Sequence, residues 1–248
     1  MDFLRRCALA VAAAKLRSSD LAPLPRGLAG QFVGVHGDRL IVVGGTYWDR
    51  PRWEGGRKQW SAGIFTLGAG EAAWRLSGEQ PEPLAYGGSV STQRGLICAG
   101  GQGLAAASAT VSLLAWDGVR VRVQRLPELP EPRMMLGAAL ADRAIVVVGG
   151  QPAPDRTASA DAWMLDLSGE CWRGARWRRI ESLPSVGRIP PAVAASARRL
   201  FVASGAEFLA AAEGQYRRRY LRDVFGWTPR GGWCELPGSR GQRWALPP

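Results

Sequence analysis

Histidine is almost missing from this chain of 248 residues: His36 is the only one. A metal centre built on two or more imidazoles is therefore excluded, and with it copper oxidase chemistry on such a pair. Lysine is nearly as scarce. Lys15 and Lys58 are the only two, so arginine carries the net charge of +11. The arginines are scattered and interleaved with acids, as expected of solvent-facing strand positions. No stripe of them alternates with aromatic platforms, so nucleic acid is not an expected partner. The four cysteines (Cys7, Cys98, Cys171, Cys234) form no CxxC, which supports neither a zinc site nor a redox motif. Cys98 lies in an apolar run and reads as core. No run reaches the ~18 apolar residues of a membrane span. No cofactor, metal or membrane is expected.

What the chain does have is a repeat. An alternating run from Gln31 to His36 meets a Gly37-Asp38 turn, and an apolar run from Leu40 to Val43 ends on Gly44-Gly45. Strand, Gly-Asp, strand is a hairpin signal. Apolar runs end again on Gly100-Gly101 and Gly149-Gly150, and on Ser204-Gly205 as a decayed fourth copy. A period of about 50 residues with paired glycines is the spacing of kelch-type propeller blades. The expectation is an all-β propeller with four four-stranded blades, at about 27–78, 83–126, 132–183 and 187–236. With 46% apolar residues, a core is available.

The punctuation agrees. Leu-Pro pairs at Leu126-Pro127, Leu183-Pro184 and Leu236-Pro237 mark the crossings between blades, where proline is tolerated. Leu21 to Pro25 reads the same way, as the tail of an outer strand. Trp74, Trp177 and Trp233 stand at similar places in three outer strands and read as packing between blades. Arg217-Arg218-Arg219 reads as a solvated loop. Residues 1–20 are either a short helix or leader, or a weak signal peptide: Arg5-Arg6, an apolar run, then Ala12-Ala13-Ala14. A cytoplasmic location is favoured over a periplasmic or secreted one. Ser239-Arg240-Gly241 looks like the start of a fifth inner strand.

Three stretches carry a narrower likeness: GLAGQFVGVHGDRLIVVGG, PRWEGGRKQWSAGIFTL and PLAYGGSVSTQRGLICAGG. They resemble the cyclically permuted kelch mutarotases, relatives of the bacterial N-acetylneuraminate epimerases. The shared marks are Gly27-Leu28-Ala29-Gly30, the Glu54 to Lys58 loop, and Ala85-Tyr86-Gly87. The resemblance implies a six-bladed propeller that interconverts the anomers of sialic acid. About two blades of that pattern are absent here, as in a C-terminally truncated member. The family's proton-accepting glutamate follows a glycine in a later blade, and its role is not transferred to Glu207. A protein partner that completes the propeller is a further expectation.

Anomer exchange needs a base for the anomeric hydroxyl and a fork for the sugar's carboxylate. Glu54 is the catalytic candidate, with Arg57 beside it for the anion; the alternative is an ion pair that orders the loop. Arg133 and Arg188 stand where blades begin and are candidates for substrate binding, or for salt bridges between blades. Tyr86 either donates to the sugar or packs the channel. Trp48, Trp53 and Trp60 lie in the capping loop. The other reading of the whole chain is a non-enzymatic kelch scaffold that binds through its loops.

Overall fold

A computed structural model describes residues 20–154, 156–196, 198–210 and 216–237. Strand β1 (Phe32–His36) turns at Gly37 into β2 (Arg39–Val43). A small hairpin follows, β3 (Thr46–Trp48) with β4 (Lys58–Trp60), before β5 (Gly63–Gly68) and β6 (Arg75–Glu79) complete the first sheet in the order β1-β2-β5-β6. The second sheet is β7 (Gly88–Thr92), β8 (Gly95–Ala99), β9 (Val111–Trp116) and β10 (Val121–Leu126). The third is β11 (Gly137–Ala141), β12 (Ala144–Val148), β13 (Ala162–Asp166) and β14 (Trp177–Ile180). The fourth is β15 (Ala192–Ser196), β16 (Arg199–Ala203), β19 (Val224–Thr228) and β20 (Gly232–Leu236). A second small hairpin, β17 (Ala206–Ala210) with β18 (Tyr216–Tyr220), interrupts it at the same point as in the first sheet. All pairing is antiparallel, and each sheet runs from first to last strand in chain order.

The four sheets stand side by side with their first strands as neighbours: β1 beside β7, β7 beside β11, β11 beside β15. That is the blade arrangement of a propeller. Among the described residues the set does not close: no packing of β15 on β1 matches the other three contacts. Three apolar cores fill the spaces between sheets. Phe32, Ile41, Val43 and Ile64 meet Leu96, Cys98 and Leu114. Ile97, Val111 and Leu113 meet Ile145, Val147 and Leu165. Val146, Val148 and Met164 meet Leu200, Val202 and Phe225. Strand alternation explains the division. Residues one apart point to opposite faces, so each buried strand feeds two different cores.

The glycine pairs have a structural cause. The lead-in segment of the next sheet crosses over each pair. Gly45 donates to Leu84 O at 3.0 Å, Gly101 to Arg133 O at 2.7 Å and Gly150 to Arg188 O at 2.9 Å. A Cβ on Gly100 would lie 2.4 Å from Arg133 O, and Gly100 and Gly101 sit at φ 62° and 115°. Only glycine fits both demands.

The tryptophans show a second repeated device. Trp74 Nε1 donates to Ala22 O at 2.7 Å, Trp177 Nε1 to Pro127 O at 2.9 Å and Trp233 Nε1 to Glu181 O at 2.8 Å. Each indole ties its outer strand to the chain segment that precedes its sheet. Leu21 to Pro25 is thus held against the first sheet without joining any strand.

Several boundaries differ from the sequence reading. The last strand of the second sheet begins at Val121, not Val119, because Asp117 Oδ1 accepts the amides of Val119 and Arg120 at 2.9 Å each and lengthens the turn. β6 begins two residues later than expected, and its register with β5 shifts between Gly63 and Phe65. The Arg217 to Arg219 run is no loop. It forms β18, where Arg218 lies over the Phe208 ring and Arg219 pairs with Glu207 at 2.5 Å. The leader at 1–20 lies outside the described residues except for Asp20, and the fifth-strand start at Ser239 lies wholly outside them.

Candidate functional site

Both small hairpins leave the sheets at the glycine-pair end, so this end carries the elaborated face. The residue after each pair is bridged to its sheet's lead-in: Ala29 with Thr46, Ala85 with Gln102, Met134 with Gln151, Ile189 with Ala206. These bridges make a row of equivalent positions along the face. Tyr86 N donates to Gly30 O at 2.7 Å and Met135 N to Tyr86 O at 2.5 Å, which joins three sheets there. Tyr86 adopts φ 62°, a left-handed conformation that a bulky residue rarely holds. Its ring covers Gly30, where a Cβ would sit 2.4 Å from it.

Around Tyr86 lies a compact polar and aromatic group. Its hydroxyl shares a hydrogen bond with Thr46 Oγ1 at 2.9 Å. Trp60 Nε1 donates to Gln102 O at 3.2 Å and docks β4 on the second sheet. Lys58 Nζ lies 4.6 Å from the Tyr86 ring centroid and 5.2 Å from that of Trp60. Lys58 is half-buried and has no carboxylate partner among the described residues. A cation on two aromatic faces without a carboxylate beside it attracts negative charge.

The remaining candidates are placed differently. Glu54 sits in a short 3-10 turn (Arg52–Glu54) at the tip of the β3–β4 loop and is exposed. Arg57 is exposed too, and no ion pair joins it to Glu54 among the described residues. Its amide donates to Asp49 Oδ1 at 2.7 Å, which fixes the loop through the backbone. Trp53 beside them is 86% exposed.

Arg133 and Arg188 are buried and face the protein's own groups. Arg133 donates from Nη1 to Gly149 O at 3.0 Å and from Nη2 to Glu131 at 3.2 Å and Asp161 at 3.4 Å. Arg188 is 0% exposed. It grips Asp223 with both terminal nitrogens, at 2.6 and 2.9 Å, and donates to Ser204 O at 3.1 Å. The Arg188 fork holds the Asp223 carboxyl below its ordinary pKa, against the opposing effect of burial. For Asp161 burial acts upward, but hydrogen bonds from Ser182 and Arg179 outweigh it and the pKa is lowered. Each arginine thus binds the acid that opens the third strand of its own sheet. In the second sheet Leu84 and Thr110 occupy the corresponding places. Tyr86, Glu54, Arg57, Arg133 and Arg188 do not line any one described cavity.

Comparison with known proteins places this geometry in context. No family model matches the chain. Curated relatives do match: N-acetylneuraminate epimerase of Yersinia enterocolitica is 30% identical over 121 residues, which is 44% of this chain and 30% of that protein. That of Brucella suis is 30% identical over 122 residues, 43% of this chain and 31% of the relative. That of Yersinia pestis is 29% identical over 110 residues, 40% and 27%. The chain is similar to N-acetylneuraminate epimerases. The matches span about a third or less of the relatives' own length.

Against that likeness, two groups stand out that the sequence reading did not select. Lys58 ends the Glu54 to Lys58 loop, and the sequence alone assigns it no role. Its scarcity was the available signal, since it is the only described lysine. Glu207 opens the second small hairpin directly after the fourth lead-in bridge. Its side chain is 16% exposed and is paired with Arg219. It is a half-buried carboxylate on the elaborated face, a setting Glu54 lacks. Among the described residues no three His, Cys, Asp or Glu side chains gather as for a metal ion, and no helix is long and apolar enough to cross a membrane.

Proposed function

We propose that this protein binds a sugar acid such as N-acetylneuraminate at the glycine-pair face and interconverts its anomers by ring opening. The likeness to N-acetylneuraminate epimerases carries this reading. The uncompensated Lys58 cation between Trp60 and Tyr86 supports it chemically.

In this reading Lys58 and Arg57 receive the sugar's carboxylate, and the Tyr86 hydroxyl, oriented by Thr46, hydrogen-bonds the ring. A carboxylate takes the anomeric hydroxyl proton while an acid protonates the ring oxygen. The bond between the anomeric carbon and the ring oxygen breaks, and the open-chain ketone closes again on its other face. Glu54 on the same loop is the proposed base. Glu207 is the second carboxylate to test, because its half-burial and its Arg219 partner hold it in place. Arg133 and Arg188 are engaged within the protein and take no part in the proposal.

Proton NMR of freshly released N-acetylneuraminate tests the reading. Faster anomer equilibration with protein than without is expected, with Glu54→Gln or Glu207→Gln abolishing the gain. An unchanged rate with the wild-type protein overturns it. A second reading, sugar or protein binding without turnover, is favoured by one observation: Glu54 stands exposed at a loop tip, away from every described cavity.

A further inference from the structure

The end of the sheets away from the glycine pairs carries the turns of the inner hairpins. The second residue of that turn is Asp38 in the first sheet, then Arg94, Arg143 and Arg198 in the next three. Between the second and third sheets, Arg94 and Arg143 line a cavity of about 430 Å³. The β7–β8 turn, the β11–β12 turn and the loop from Leu167 to Trp172 surround it. Half-buried Leu140 and buried Leu167 and Trp172 supply its apolar lining.

The loop is fixed by its own hydrogen bonds. Leu167 N donates to Arg143 O at 2.8 Å, Ser168 N to Asp166 Oδ1 at 2.8 Å and Trp172 Nε1 to Leu167 O at 2.9 Å. Two carbonyls of the same loop hold the arginines. Arg143 Nη2 donates to Ser168 O at 2.7 Å, and Arg94 Nη1 to Glu170 O at 2.6 Å. Among the described residues no other acceptor meets either guanidinium. Both are therefore set in place with most of their five N–H donors unspent.

What these two arginines lack is a carboxylate. The junction of the first and second sheets shows the complete arrangement: Arg39 lies 4.8 Å from the Trp116 ring centroid and pairs with Glu71 at 2.6 Å. Arg94 lies at the same 4.8 Å from the Trp172 ring centroid, but a carbonyl stands where the carboxylate would be. Arg133 and Arg188 also find their carboxylates within the fold. Arg94 and Arg143 form no ion pair among the described residues. The nearby acids do not fill the place. Asp142 pairs with Arg198 at 3.2 Å, Asp166 accepts the Ser168 amide and acts on Arg143 only from beyond ion-pair range, and Glu170 is exposed. A carbonyl positions a guanidinium without neutralising it, so an anion entering here gains pre-set, charged donors.

We propose that this cavity is a second binding site, for a small organic anion. Its carboxylate or phosphate group meets Arg94 and Arg143, and its apolar body rests on Leu140 and Leu167. The site lies at the opposite end of the sheets from Lys58 and does not depend on the sugar-acid reading.

Ligand-observed NMR titration of the full chain with benzoate and with phenyl phosphate tests it, with benzyl alcohol as the neutral control. At least one anion is expected to bind saturably, and the alcohol at least about tenfold more weakly. The tighter anion identifies the head group. Lys58→Met, which removes the cation at the other end, is expected to bind the anion as the wild type does. Arg94→Gln and Arg143→Gln are each expected to weaken binding at least about tenfold, the loss of one charged hydrogen bond. Both side chains are exposed at turns, and circular dichroism checks the fold. Arg94→Lys, which keeps the charge, is expected to bind more tightly than Arg94→Gln. The proposal is overturned if neither anion binds saturably up to its solubility, or if benzyl alcohol binds as tightly. Full affinity in the folded arginine variants, or lost affinity in Lys58→Met, overturns it as well.

Discussion

Removing Asp223 alone is expected to harm the protein more than removing Asp223 and Arg188 together. Arg188 is fully buried, and its charge is compensated by one carboxylate and one carbonyl. Asp223→Thr leaves the guanidinium without its counter-ion, and breaking a buried pair from one side costs about 3–5 kcal/mol. The second sheet shows how the same position is filled without charge, with Leu84 and Thr110 in place of arginine and aspartate. The double change Arg188→Leu with Asp223→Thr copies that solution. It is expected to recover most of the loss, to within about 1–2 kcal/mol of wild type, since apolar replacement of a buried pair is often near neutral. The coupling between the two sites is then about 2 kcal/mol or more. Urea unfolding followed by fluorescence of the 11 tryptophans reads these differences directly. A loss below about 1 kcal/mol for Asp223→Thr, or a double variant weaker than the single, would refute the reasoning.

Three further outcomes are expected. Gly100→Ala places a Cβ against Arg133 O at a left-handed φ and is expected to cost about 2–4 kcal/mol, whereas Ser204→Gly, at φ 58° with no following segment described above it, changes stability by less than about 1 kcal/mol; urea midpoints compare the two. Tyr86→Phe loses the hydrogen bond to Thr46 and is expected to cost about 1 kcal/mol in the same assay. The folded pKa of Asp223 is depressed, so its stabilisation is complete above the ordinary aspartate value of about 3.9 and fades as pH falls through the lower folded value; unfolding curves of wild type and Asp223→Asn should therefore differ at neutral pH and converge in acid.

The four sheets were legible because their signals are local. Gly37-Asp38 and the alternation around it sit within one hairpin. The glycine pairs were legible as a repeat, but their cause was not, since the carbonyl that crosses Gly100 belongs to Arg133, in the next sheet. The same distance hid the arginines' partners. Arg133 meets an aspartate 28 residues on, and Arg188 one 35 residues on. An arginine before an inner strand looks like a ligand-binding group until the fold brings its carboxylate alongside. The small hairpins are not legible in the sequence, because polar and Trp-rich segments lack a clear alternation. Lys58 showed only as a rarity; its aromatic setting needed Tyr86, from another sheet.

A binding titration with N-acetylneuraminate tests the central claim, that a sugar acid meets Lys58 on the elaborated face rather than the buried arginines. Calorimetry should find that Lys58→Met weakens binding at least about tenfold, the loss expected of one charged hydrogen bond, while Arg188→Leu with Asp223→Thr binds as the wild type does. Unchanged affinity in Lys58→Met, or lost affinity in a folded Arg188→Leu/Asp223→Thr protein, would contradict it.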